Sequence, residues 1–218
     1  MVKEITLQEA TSLVHDGDTV MVGGFLANGT PKHIVDALSE SAVHDLTLIC
    51  NDTAFIDTGV GKMVAKKQFS KIIASHIGTN KETGRQMNEG ETEVELVPQG
   101  TLAERIRSAG FGLGGVLTPT GLGTLVAKGK EIINVDGKDY LLEKALGADV
   151  ALLYAAKADR AGNLVYSGSE NNFNNVMASA GKKVVVEVAE IVGIGEINPN
   201  EVITPGVFVD YIVKGGEN

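Results

Sequence analysis

The sequence has no tryptophan and a single cysteine, Cys50. One thiol cannot close an intramolecular disulfide or build a multi-cysteine metal cluster, and this usage suits a reducing compartment. Aromatic residues are 5% of the 218, too few to supply the stacking platforms on which single-stranded nucleic acids are held. Positive charge is also scarce. Lys and Arg number 19 against 28 Asp and Glu, for a net charge of −9, and they form no dense block, so no nucleic-acid partner is expected. The longest uncharged run, Ser108 to Ala127, has spanning length but contains Gly110, Gly112, Gly114, Gly115, Pro119, Gly121 and Gly123. A membrane helix so built would leave backbone groups unsatisfied, so the run reads as buried loop and turn and no membrane association is expected. Met1-Val2-Lys3-Glu4 lacks the apolar core of a signal peptide, and acid arrives too early for a transit peptide. A cytoplasmic location is the expectation.

What is present points to an ordinary folded domain with one excess. Apolar residues are 43% and charged residues 22%, as in soluble globular chains. At roughly 150 residues per domain the length allows one large domain or two small ones. No Pro-rich or Ser-rich linker divides the chain, which favours a single domain over 1–218. Glycine is the excess, 27 of 218, well above a usual share of about 7%. Much glycine with few aromatics suggests backbone amides brought close to a ligand.

Periodicity gives an alternating order. Thr6-Leu7-Gln8-Glu9 reads as a capping box opening a helix through about His15, closed by Gly17. Thr19-Val20-Met21-Val22 is a short apolar strand ending in Gly23-Gly24-Phe25. Thr30 and Pro31 then form the N-cap and first position of a helix whose apolar face is Ile34, Val35 and Leu38. Strands follow at 46–50, 71–75 and 93–97, and Thr101-Leu102-Ala103-Glu104 is a second capping box opening a helix through about Ala109. Asn134 to Tyr140 carries an Asp-Gly hairpin signal. Further strands lie at 150–155, 183–188 and 207–213, with a helix near 174–180. The alternation predicts the α/β class, with a single open, mainly parallel sheet and flanking helices.

Several segments have the residue types that chemistry needs. Gly23 to Pro31 lies between a strand and a helix N-terminus, where free amides and the helix dipole favour an anionic or carbonyl guest; a tight strand-to-helix turn explains the same residues. Gly24 and Gly29 stand at phosphate-loop separation, but Thr30-Pro31 replaces the Lys-Ser or Lys-Thr that nucleotide triphosphates require. Gly110-Phe111-Gly112-Leu113-Gly114-Gly115 matches a dinucleotide fingerprint in the wrong context, after a helix and before Leu117-Thr118-Pro119. Cys50 ends an apolar strand and reads as a small core residue, although a pairing with His76 is imaginable. His15, His33 and His44 look like surface residues with no metal-ligand spacing, so no metal site is expected. Glu170, within Ser167-Gly168-Ser169-Glu170-Asn171-Asn172, is either a nucleophile or a solvated cap. Gln99 follows a strand and opens a helix, a place where parallel sheets gather ligands.

Taken in order, the motifs resemble those of the family I, or 3-oxoacid type, CoA-transferases. Asp16-Gly17 and Gly23-Gly24-Phe25-x-x-x-Gly29-x-Pro31 resemble the family's first signature. The likeness runs on through Asn51-Asp52-Thr53, Ile77-Gly78-Thr79-Asn80, Pro98 to Arg107, Thr118 to Thr124, Gly162-Asn163-Leu164, Asn172-Phe173-Asn174 and Thr204-Pro205-Gly206. It covers nearly the whole chain and is greatest to the A (alpha) subunits of the acetate, butyrate and acetoacetate members. Such a subunit implies transfer of CoA between a short-chain acyl-CoA and a carboxylate, through an acyl-glutamyl anhydride and a glutamyl-CoA thioester. Coenzyme A is then a substrate, and no cofactor is implied. The family's nucleophilic glutamate belongs to a Ser-Glu-Asn-Gly motif on the B (beta) subunit. Ser169-Glu170-Asn171 matches three of those residues, but Asn172 replaces the glycine, which makes Glu170 a decoy. The resemblance therefore implies no nucleophile in this chain, a B-subunit partner in an A2B2 heterotetramer, a CoA loop of Gly23, Gly24, Phe25, Leu26, Ala27, Asn28 and Gly29, and Gln99 as a supporting residue. A non-catalytic CoA- or nucleotide-binding regulator is the alternative reading.

Overall fold

The computed structural model describes residues 2–215. Its strands are β1 (Lys3–Glu4), β2 (Thr19–Val22), β3 (Leu46–Asp52), β4 (Phe69–His76), β5 (Glu93–Leu96), β6 (Gly115–Thr118), β7 (Ile132–Val135), β8 (Lys138–Lys144), β9 (Ala148–Asp159), β10 (Leu164–Val165), β11 (Gly181–Val192) and β12 (Tyr211–Lys214). The α-helices are α1 (Leu7–Thr11), α2 (Lys32–Ser39), α3 (Gly61–Ala65), α4 (Lys81–Glu89), α5 (Gln99–Gly110) and α6 (Asn174–Met177).

A nine-stranded sheet runs in the order β1-β12-β11-β9-β2-β3-β4-β5, with β10 beside β9. Every pair along that path is parallel, and only β10 runs against its neighbour. The α/β reading therefore stands, as one open, mainly parallel sheet. It lacked the second sheet, the three-stranded antiparallel β6-β8-β7. The Asp-Gly signal does make the turn there: Asp136 and Gly137 take φ of 52° and 79° between β7 and β8, the left-handed pair that a two-residue hairpin favours.

Successive side chains of a strand point to opposite faces, so a sheet covered on both faces is apolar throughout. Met21, Ile49, Ile73 and Leu153 join one cluster with Leu102 and Ile106 of α5 and Met177 of α6. Their neighbours Val20, Val22, Leu48, Ile72 and Leu152 join the other, with Ile34, Val35 and Leu38 of α2. A fully buried side chain of this kind contributes about 1.5–3 kcal/mol of transfer free energy, and Ile34, Leu48, Ile49 and Leu102 are all fully buried. Cys50 lies in the second cluster as the small core residue expected of it.

Local expectations shifted in several places. α1 ends at Thr11, a turn before His15, although the Thr6–Glu9 capping box forms as expected. α2 starts one residue late with Pro31 as N-cap, because the Thr30 hydroxyl is used elsewhere, donating to the Gly23 carbonyl at 3.0 Å. α5 starts at Gln99, behind Pro98; the proposed Thr101 capping box is absent because Thr101 is already inside the helix and buried. The strand expected at 207–213 is confined to β12, preceded by a short 3-10 turn at Gly206–Phe208. The run Ser108 to Ala127 is not buried: Phe111 is 64% and Leu125 90% exposed. Its glycines carry the chain out of α5 into the small sheet, and no helix among the described residues is long and apolar enough to cross a membrane.

Candidate functional site

The strand order reverses direction between β2 and β9. At such a switch point the connections leave a crevice beyond the carboxyl ends of the strands. Gly23 to Gly29 emerges there from β2, and its construction explains its glycines. A Cβ on Gly23 would stand 1.9 Å from Asn174 Oδ1, and one on Gly24, at φ +124°, 2.0 Å from Thr30 Oγ1. The glycines thus admit the protein's own side chains, so a larger residue at Gly24 collides with Thr30 before any ligand is involved.

The loop tip is a two-residue turn. Phe25 and Asn28 exchange both backbone hydrogen bonds at 2.9 Å, and Leu26 and Ala27 between them take φ of 49° and 68°. Asn-Gly is the pair usually found in such a turn; Leu-Ala costs about 1–3 kcal/mol per residue and persists only where the surroundings fix it. They do. Asp52, buried at the end of β3, accepts from the Leu26 amide at 3.0 and 3.2 Å and from the Ala54 amide at 2.8 Å. From the other side the 167–174 segment clasps the loop. Asn172 Oδ1 accepts from the Gly24 amide at 3.1 Å, and Asn174 Nδ2 donates to the Gly29 carbonyl at 2.8 Å and the Glu170 carbonyl at 2.7 Å. Among the described residues, the only loop amides from Gly23 to Gly29 without a partner are those of Ala27 and Gly29.

The helix N-terminus behind the loop is less open than its sequence suggested. The Ile34 amide already donates to buried Glu187 Oε2 at 3.0 Å, and His33 Nδ1 lies 2.7 Å from Oε1 of the same carboxylate. His33 is therefore tied to the core, unlike exposed His15 and His44. Only the depth of Glu187 in β11 makes this pairing, and no local signal around residue 33 announces it.

Two cavities flank the loop. One of about 320 Å³ is lined by Ala27, Asn28 and Gly29 together with Lys32, Lys62 and Glu170. The other, of about 440 Å³, is lined by Phe25, Leu26, Asn51, Asp52, His76 and Gln99, among others. The structure thus brings Gln99 to the Phe25–Leu26 side of the loop, where α5 begins. Its Nε2 donates to Asn51 Oδ1 at 2.6 Å. Of its two amide N–H bonds one is spent there, and the second has no partner among the described residues. Asn51, 1% exposed, is held in turn: Ser75 Oγ donates to its carbonyl at 2.7 Å, and its Nδ2 donates to Asp52 Oδ2 at 2.7 Å. Sequence reasoning placed Asn51 and Asp52 within a motif but gave them no task.

Glu170 sits apart from Gln99. Its carboxylate accepts from the Ser167 amide at 2.9 Å and closes a capping box on its own turn, the cap that was one of its two sequence readings. Burial pushes the Cys50 thiol well above its ordinary range, with the nearby Asp52 charge adding to the effect. That thiol stays protonated and is no nucleophile. The Gly110–Gly115 run joins α5 to β6, helix to strand, which is the reverse of a dinucleotide-binding turn.

The chain matches the coenzyme A transferase family model over residues 4–215. It belongs to the coenzyme A transferase family. It is 53% identical over 216 residues to the acetate CoA-transferase subunit alpha of Escherichia coli strain K12, covering 99% of this chain and 98% of the relative. It is 49% identical to the acetoacetyl-CoA:acetate/butyrate CoA transferase alpha subunit of Clostridium acetobutylicum, covering 97% of each. Among solved structures, an acyl-CoA transferase of Escherichia coli O157:H7 in thioester complex with CoA shares the fold at a TM-score of 0.88 and 22% identity. That match covers 98% of this chain and 47% of the other, so this CoA-transferase chain spans about half the length of the solved enzyme.

Proposed function

We propose that this chain is the alpha subunit of a heteromeric CoA-transferase that moves CoA between a short-chain acyl-CoA, such as acetyl-CoA or butyryl-CoA, and a carboxylate such as acetoacetate. The observation that carries this reading is the near end-to-end likeness to alpha subunits of that activity. The meeting of Gln99 and the loop tip in one cavity supports it. A beta subunit, in an A2B2 assembly, is the partner, and the cytoplasm is the place such metabolites are exchanged. Coenzyme A is a substrate here, and no cofactor is needed.

In this reaction a partner glutamate attacks the thioester carbonyl and expels CoA as thiolate, leaving an acyl-glutamyl anhydride. The thiolate then attacks the glutamyl carbonyl, releases the first carboxylate and leaves a glutamyl-CoA thioester, from which the second acid takes CoA by the reverse steps. Each attack passes through a tetrahedral oxyanion, and a preorganised donor aimed at it is worth about 100- to 1,000-fold in rate. The unspent N–H of Gln99 is that donor in this chain, held in place by Asn51 and Ser75. The free amides of Ala27 and Gly29 are donors for CoA on the other side of the loop tip.

The test is to purify the chain alone and with its partner, and to assay CoA exchange between acetoacetate and butyryl-CoA. Activity only in the mixture is expected. Activity in neither would favour a CoA-binding regulator, and activity in the isolated chain would return the nucleophile to Glu170.

A further inference from the structure

Asp52 is 5% exposed, yet it lines the cavity of about 440 Å³ beside Gln99. Its oxygens receive the amides of Leu26 and Ala54 and the side-chain amide of Asn51. Among the described residues, every contact of its carboxylate is with a donor and none with an acceptor. The donors are all neutral amides, so they satisfy the oxygens without supplying a compensating positive charge. Among the described residues, neither lysine nor arginine lines the cavity, and the exposed His76 is its only basic group.

We propose that Asp52 is a charge filter that restricts this site to monocarboxylates and rejects acids bearing a second carboxylate. The inference rests on the reading above, in which the acid's reacting carboxyl lies at Gln99. The remainder of the acid then extends toward Phe25, Leu26 and Asp52. Phe25 and Leu26 suit a methyl or propyl tail, and a neutral keto oxygen meets the polar floor without penalty. A terminal carboxylate there gives up part of its hydration and faces a like charge at close range. Size does not exclude a four-carbon diacid from a cavity this large; charge does.

The experiment uses the chain with its partner subunit and compares succinate with monomethyl succinate, which has the same backbone and one charge fewer, with acetate as reference. Wild type should use monomethyl succinate with a kcat/KM at least about tenfold above that for succinate, the factor expected from a like charge a few ångströms away at intermediate dielectric. Asp52→Asn should bring the two toward equality. Damage to the Leu26 turn lowers both alike, so the ratio and not the rate is read; if the variant fails to fold, the wild-type comparison still decides. Equal use of the two acids by wild type, or a ratio unchanged in a folded Asp52→Asn, would overturn the filter alone. No transfer to acetate would overturn the functional reading and the filter with it.

Discussion

Replacing Asn174 with alanine tests whether the glycine loop is held by the clasp beneath it. Asn174 is fully buried, and its Nδ2 is the donor for two carbonyls, those of Gly29 and Glu170. Alanine removes the donor and is too small to fill the space. Each buried carbonyl left unpaired costs about 1–3 kcal/mol. The Gly29 bond is wholly buried and the Glu170 bond partly so, and alanine also removes the Oδ1 that accepts from the buried Tyr154 amide at 3.1 Å, so a total of at least about 3 kcal/mol is expected, with water rescuing some of the Glu170 bond. For a chain of this size that lowers Tm by about 6–12 °C, at roughly 2–4 °C per kcal/mol. Thermal unfolding followed by circular dichroism on the purified chain measures it. Asn174→Asp keeps the shape but aims an acceptor at two acceptors, so it should be at least as damaging. A Tm within about 2 °C of wild type for Asn174→Ala, or an Asn174→Asp that is harmless while alanine is not, would show that the loop's order comes from packing alone.

Three further outcomes follow from the same geometry. Gln99→Ala, in the reconstituted complex, should lower kcat about a hundredfold while the assembly stays intact, as expected for one oxyanion donor; unchanged kinetics would remove Gln99 from the site. Cys50, buried and with its thiol pushed upward, should resist alkylation in the native protein at mildly alkaline pH and react only on unfolding, and rapid native labelling would contradict its placement in the core. Burial pushes Tyr166 up to about 12 from 10.0, with its hydrogen bond to Thr204 opposing part of the shift. The charged form is thus disfavoured in the fold, and stability should fall as pH rises from 10.0 toward about 12. Tyr166→Phe should flatten that slope in a chemical-denaturation series, and an unchanged slope would assign it to other groups.

Legibility in the sequence followed the range of the interactions. The core of the parallel sheet could be read because its cause is local: 150–155 is a continuous apolar run and 46–50 is broken only by Thr47, and near-continuous runs are what a sheet covered on both faces needs. The β7–β8 turn could be read for the same reason, from Asp136-Gly137. Helix starts were less legible. Thr30 and Thr101 both have capping chemistry, yet Thr30 donates to Gly23 and Thr101 is buried inside α5; propensity gave way to tertiary contacts. α4 is capped by Asn80, whose side chain also donates to the Thr53 carbonyl across the fold, and its Gly90 C-cap is left-handed. Both are local signals of a helix start and stop. The Glu187–His33 contact joins residues 154 positions apart, and no window of the sequence contains it.

The site shows the same division. Gly23, Gly24 and Gly29 stand out in any reading of the sequence, and a ligand is the usual explanation for such a cluster. Here the structure gives the first two a different immediate cause, the close approach of Asn174 and Thr30. Glycine makes the loop rigid by letting the protein pack against it, and that rigidity is what leaves the amides of Ala27 and Gly29 as its free donors. The strained Leu26-Ala27 turn works in the same direction, because Asp52 holds it from below while Asn172 and Asn174 hold the loop from behind. The loop separates Glu170, in one cavity, from the Gln99 amide, in the other. Glu170 is bound to its own turn by the Ser167 amide, and Asp52, the acid that shares the Gln99 cavity, is occupied by the amides of Leu26, Ala54 and Asn51; the proposed reading therefore brings the nucleophile from outside this arrangement. Under the proposed reading that approach is made by the partner subunit, and the division of labour is set by the loop: this chain supplies fixed donors and a charged wall, the other chain the attacking carboxylate.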